Sequence, residues 1–298
     1  MKIGNNELRI QGRLLRTARL DAEKYQFVDE PELMIAGIKN LDAAVDLFTF
    51  LQKLPDSQPK YKYPMELDNL AVLPISTFDE WWVKQIDNKT RNMVRKSERK
   101  GLRIEEVPFN DALVHGIWTV YNECPVRQGK LFAHFGKDIE TVRREESTYL
   151  DASIFIGAFF DNSLIGFIKL VVDENAAQAG LLNIIAMVGH RDKAPMNGLI
   201  AEAVRSCAKR GIPHLVYSNF SYGKKRVDTL SDFKANNGFK SVDVPRYYVP
   251  LTLLGSCALR LGLHHRLADR VPEGIMARIR SIRSAWYHSK LRSAAQAQ

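Results

Sequence analysis

Along the first hundred residues the apolar positions come in short, mixed runs. Residues 8–20 predict a strand with a basic outer face. Residues 41–54 predict an amphipathic helix, because Ala44, Val45, Leu47, Phe48, Leu51 and Leu54 fall on one stripe. A loop bearing proline and lysine follows over 55–64, and 70–73 predicts a short apolar strand. Thr77-Phe78-Asp79-Glu80 has the form of a capping box. The helix expected after it carries Trp81, Trp82 and Ile86, runs on through a basic stretch to Lys100, and stops at Gly101.

From residue 102 the pattern is more regular. Strands are expected over 102–107, 153–160, 164–172, 181–188, 215–220 and 239–251. The run over 153–160 is apolar throughout, as in a strand covered on both faces. Asp161-Asn162-Ser163 turns it into the next strand. Helices are expected over 110–121, 139–150 and 229–236, and over a fourth segment that opens with Pro195 and ends at Gly211. The order is β-α-α-β-β-β-α-β-α-β, a mixed α/β sheet. Three parts follow: an N-terminal partial α/β portion over 1–100, a main domain over 101–252, and a helical tail over 253–298.

Charge changes the picture more than composition does. Of 298 residues, 45% are apolar and 26% charged, which excludes wholesale disorder. The net charge is +9, but residues 89–103 and 253–298 each carry +6 and leave a slightly acidic remainder. Arg91, Arg95 and Arg99 recur every four residues and share one helix face, which suits a phosphate-bearing substrate. In the tail Ile275, Ile279, Ile282 and Trp286 form an apolar stripe, with Arg278, Arg280, Arg283 and Lys290 on the other faces. That reads either as an anchor on an anionic membrane surface or as a helix that packs on protein. No run of 18 apolar residues exists, and the N-terminus has no apolar leader. Cys124, Cys207 and Cys257 lack CxxC spacing, so no zinc site or disulfide framework is expected. The expected setting is cytoplasmic, with peripheral association at the inner membrane face.

Three motifs carry a family resemblance. The stretch from Lys89 to Leu102 is basic and ends in Gly and an aliphatic residue. Leu230-Ser231-Asp232-Phe233-Lys234-Ala235-Asn236-Asn237-Gly238-Phe239 is similar to an L-x-x-F-K-x-x-F-G signature, with Asn237 at the second Phe. Tyr247-Tyr248-Val249-Pro250-Leu251 is similar to a closing strand. Together with the element order, they resemble the GNAT acyltransferase fold and its Fem-type (FemAB-like) branch, over roughly residues 78–252. The family has two full GNAT-like halves; residues 1–100 are too short for a complete first half, and no helical-arm insertion is visible. The cofactor loop R/Q-x-x-G-x-G/A is represented by the stretch from His190 to Gly198, which keeps Arg191 but lacks two glycines.

The resemblance implies roles. Arg191, Lys193, Asn197, Gly198 and Phe233 would lie at the acyl-CoA, and the helix opening at Pro195 would offer its dipole and N–H groups to phosphates. Lys234 would face donor phosphate or developing negative charge. Tyr217, Asn219 and Tyr222 would orient substrate or protonate a leaving group. Arg127 and His134, between the two leading helices, would recognise the acceptor, His134 as a possible general base. Arg91 and Arg95 would bind substrate phosphate. The implied enzyme is an N-acyltransferase that uses acetyl-CoA or another acyl-CoA, without metal, on an amino group of a sugar, envelope precursor or peptide. Two alternatives stay open: an aminoacyl-transfer-RNA-dependent ligase, and a degenerate fold serving as a membrane-associated binding module.

Overall fold

Asp161 and Asn162 both sit at positive φ, 48° and 63°, the backbone that a two-residue hairpin turn needs to match the strand twist. They join two apolar strands of a mixed sheet in the computed structural model. The structure describes residues 2–3, 6–23, 26–41, 43–127, 130–221 and 229–265. Its strands are β1 (Lys2–Ile3), β2 (Asn6–Gln11), β3 (Thr17–Leu20), β4 (Leu47–Leu51), β5 (Met65–Pro74), β6 (Arg103–Val107), β7 (Val126–Arg127), β8 (Lys130–Leu131), β9 (Ser153–Phe160), β10 (Ser163–Val172), β11 (Ala179–Ala186), β12 (His214–Asn219) and β13 (Lys240–Pro250). Its helices are α1 (Pro31–Lys39), α2 (Asn88–Arg99), α3 (Asp111–Asn122), α4 (Ile139–Glu146), α5 (Pro195–Lys209), α6 (Thr229–Asn236) and α7 (Leu253–Arg260).

The chain divides into two compact units. Among the described residues, the first takes Met1–Thr77, Val172–Gly180 and the stretch from Cys207 to 265; the second takes Phe78–Val171 and Leu181–Ser206. The stretches 1–100 and 101–252 therefore each contribute to both units. In the first unit the strand order is β1-β2-β3-β4-β13-β5-β12, and the start of β11 pairs parallel with β12 at Ala179↔Leu215 and Gly180↔Val216. Strand β13 is antiparallel to both β4 and β5. Phe48, Phe50, Met34, Ile38 and Tyr247 are buried together there, and the Phe50 and Tyr247 rings stack at 5.1 Å. Such a pair adds about 0.5–1.5 kcal/mol beyond its burial.

In the second unit β6, β9 and β10 form an antiparallel ladder. Leu113, Val114, Ile117 and Val120 of α3 pack on it with Phe155 and Phe167. Asn110 caps α3 by accepting from Leu113 N at 2.9 Å, and Asp138 caps α4 by accepting from Thr141 N at 2.8 Å.

Three early expectations are corrected. The helix expected over 41–54 is the strand β4, all five of whose residues are buried. A strand covered on both faces shows no alternation, so its spacing mimics a buried helix. The strand expected over 8–20 is instead the hairpin of β2 and β3. The helix expected from residue 78 to 100 is broken: a π-helical turn at Trp81–Gln85 ends at Ile86 in an extended conformation. Asp87 then caps α2, accepting from Thr90 N at 2.7 Å.

Candidate functional site

In the first unit, β12 ends in an irregular stretch. Its pairing with β5 shifts register between Val216 and Asn219, and Ser218 between them has φ of 49°. A left-handed serine stores strain that its surroundings must hold. The holding group is Lys234 of α6, fully buried, whose ammonium donates to the Asn219 carbonyl and lies 4.6 Å from the centre of the Tyr217 ring. The structure thus brings together Lys234, Tyr217 and Asn219. Phe233, beside Lys234, is half-buried. Ser218 and Asn219 line a cavity of about 100 Å³ with Gln52, Gln178 and Arg246. Arg246 is held there between Glu23 at 2.8 Å and Asp68 at 2.7 Å.

In the second unit, the loop after β11 is a 3-10 segment, Val188–Lys193, followed by Ala194 in the left-handed region (φ 55°) and by α5. Ala194 has the backbone of a turn glycine although glycine is missing from the sequence there. The first two amides of this loop already have an anionic partner. Glu123, just past α3, accepts from Val188 N at 3.0 Å and Gly189 N at 2.8 Å. Arg127 secures that carboxylate at 3.4 Å and donates to the carbonyls of Ala186 (2.9 Å) and Val120 (3.0 Å). Its guanidinium also covers the Phe132 ring, and burial pulls its pKa down. Arg127 is therefore a clamp on the loop, both terminal nitrogens of its guanidinium being engaged within the protein.

Gly198 departs from its expected place at the cofactor for a similar reason. A Cβ there would meet Ile104 and lie 2.6 Å from the Ser97 oxygen. The residue lets α5 pass close to α2, which is a packing role. Asn197 is half-buried in the first turn of α5. Arg191 is exposed, and Lys193 lies over the Phe160 ring at 4.5 Å. These two cations at the start of α5 remain as candidates for an anion.

Between α3 and the β9–β10 turn lies a groove of about 860 Å³, lined by Asn110, Gly116, Thr119, Asn162 and His190 among others. That size suits a small molecule. Under α3 lies a buried polar network that no sequence motif announces. Tyr121 donates to Glu146 at 2.7 Å, Asn183 donates to the same carboxylate at 2.9 Å, and Lys169 donates to the carbonyls of Glu146 and Thr148, each at 2.7 Å. Burial raises the Glu146 pKa and lowers that of Lys169. His134 stacks on Tyr121 at 4.2 Å with Lys137 at 3.3 Å from its Nδ1. Burial, then Lys137, holds its pKa below the ordinary value. A neutral imidazole suits a base, yet its position is that of a packed ring.

On α2, Thr90, Val94 and Ser97 face inward. Arg91 is committed to the carbonyls of Trp82 and Ile86, both at 2.7 Å, so it closes the preceding turn and is not free for substrate phosphate. Arg95 is exposed beside Trp82, 5.5 Å from the ring. Tyr222 lies outside the described residues, as does the tail beyond 265 with its apolar stripe. Of the tail, α7 is described, capped by Thr252. Among the described residues no helix is long and apolar enough to cross a membrane.

No protein-family model matches the chain, and no curated protein matches it in sequence. Solved structures do. One similar structure is assigned as the C-terminal domain of a lysylphosphatidylglycerol synthetase from Agrobacterium fabrum. It is 16% identical, with 85% of this chain and 82% of that one covered and a TM-score of 0.56. L-PGS from Bacillus licheniformis is 12% identical, with coverages of 85% and 83% and a TM-score of 0.55. FemX is 12% identical, with coverages of 79% and 72% and a TM-score of 0.51. At such identities the likeness is one of architecture, and the chain has the GNAT-like fold of the Fem type.

Proposed function

We propose that this chain is a transferase that moves an aminoacyl group from an ester donor, aminoacyl-transfer RNA, to a nucleophile on a lipid or envelope precursor. The observation that carries the choice of donor is Glu123. Its carboxylate holds the Val188 and Gly189 amides, immediately before the His190–Gly198 loop at which the phosphates of acyl-CoA were expected. A fixed negative charge there opposes a pyrophosphate. The likeness to a lysylphosphatidylglycerol synthetase and to FemX supports the class. Exposed Leu253, Leu254, Leu261 and Leu263, followed by a basic tail, support an acceptor at a membrane surface.

In this reading the acceptor's amine or hydroxyl attacks the ester carbonyl. The new bond forms at that carbon, the ester C–O bond breaks, and the ribose hydroxyl leaves with a proton. Lys234 acts as a positioning residue that keeps Asn219 and Tyr217 in the strained bulge. Arg95 and the remaining cations of α2 attract RNA phosphate, so binding weakens as salt rises.

A second reading is an acyl-CoA N-acyltransferase, favoured by Arg191 and Lys193 at the start of α5. Labelled aminoacyl-transfer RNA and labelled acetyl-CoA, each offered with phosphatidylglycerol vesicles and with amine acceptors, separate the two. Transfer from the charged RNA, lost in Lys234→Ala at a temperature where that variant is folded, is expected. Transfer from acetyl-CoA alone, abolished by Arg191→Ala, would establish the second reading. Binding without transfer from either donor would make the chain a binding module.

A further inference from the structure

The chain ends its described part on two adjacent histidines, and both rings turn to one carboxylate. His264 Nε2 lies 3.0 Å and His265 Nε2 3.1 Å from Glu66 Oε1. Glu66 is the second residue of β5 and stands 198 positions away from His264, so no sequence spacing connects them. The three candidate ligand atoms lie within 4.8 Å of one another. Tyr248 of β13 donates to the other oxygen of Glu66 at 3.3 Å and its ring lies 4.7 Å from that of His264. That contact orients the carboxylate as an outer partner of a metal ligand does.

We propose that Glu66, His264 and His265 form a binding site for a divalent transition-metal ion, with zinc the best match. Two imidazoles and one carboxylate are a recurrent zinc donor set, and ligands about 2.0–2.2 Å from a tetrahedral ion stand about 3.4 Å apart. The two measured N···O separations fall slightly short of that, so an ion enters by a small outward turn of the exposed groups. With neutral imidazoles the triad carries one negative charge, which suits a dication. The His264 side chain is 5% exposed, whereas Glu66 is 40% and His265 43% exposed. The site therefore has a fixed inner ligand and an open outer side, where water or a further ligand completes the coordination. An ion there fastens the segment after α7 to the β5 and β13 strands within the first unit.

The full chain, freed of metal with EDTA, is titrated with Zn²⁺ by calorimetry and with Co²⁺ by visible absorption. Glu66→Gln and His265→Gln are titrated in parallel; both change exposed side chains, and circular dichroism checks their fold. One equivalent per wild-type chain is expected, with a Co²⁺ spectrum lacking thiolate charge transfer. Each variant should bind at least tenfold more weakly. Zn²⁺ should raise the melting temperature of the wild type but not of the variants. The proposal is overturned by absence of stoichiometric binding. It is equally overturned by binding that both variants keep, or by a thiolate signature pointing to Cys124 or Cys257.

Discussion

At the scale of single side chains, the buried cation of Lys234 and the exposed anion of Glu123 have opposite tasks. Lys234 satisfies a carbonyl inside a strained bulge. Removing it in Lys234→Ala leaves that acceptor unpaired and should cost about 1–3 kcal/mol in denaturant unfolding. Glu123 instead quiets two loop amides. In Glu123→Ala the Val188 and Gly189 N–H groups should exchange with solvent at least tenfold faster, as expected for charged hydrogen bonds worth about 1.5–3 kcal/mol. Amide exchange read by NMR checks this. His134 gives a pH signature. The unfolded chain takes up its proton near about pH 6.5, the folded chain only at lower pH because of burial and Lys137. The unfolded state thus binds more protons in that window, and stability falls as pH drops through it. His134→Gln should flatten the fall, as read from melting temperatures between neutral and mildly acidic pH. Arg127 and Arg91 show the limit of residue-by-residue reading: an arginine in a sequence looks available, and only the fold reveals which carbonyls it already serves.

Helices and strands were legible where local chemistry decides them. The Asp161-Asn162 turn, Pro195 opening α5 and Gly211 closing it (φ 67°) are all where the sequence placed them. α6 matches its expected bounds. Strand β4 was misread because its neighbours β3 and β13, which come from distant parts of the chain, decide its state. Helix α1 was missed although Pro31 opens it and Met34 and Ile38 face inward; it is short and apolar on more than one face, with Leu33 exposed, so no single stripe stands out. Close helix packing was equally invisible. Gly198→Ala should push α5 off Ser97 and Ile104 and lower stability by about 1–3 kcal/mol, the usual range for overpacking. Ser97→Ala in the same chain should recover part of that loss, a coupling that a double-mutant cycle measures.

For the molecule as a whole, the element order from residue 102 onward identified the fold, while the division into units escaped it. Composition and periodicity are read along the chain, but the two units take alternate segments of it. A fragment covering 101–252, which the motifs alone would delimit as a domain, lacks both β4 and β5, the partners of β13. It should show no cooperative melting by calorimetry, whereas the full chain should. The same placement of β13 sets a timetable for synthesis. Strands β4 and β5 leave the ribosome early, and the strand that fits between them follows nearly two hundred residues later. At about 5–20 residues per second that is a wait of roughly 10–40 s. Throughout it the apolar run Leu47–Leu51 has an open edge, the kind of segment that pairs with other chains. The centre of this sheet is therefore its last piece to arrive, and a nascent chain of this kind depends on being shielded until it does.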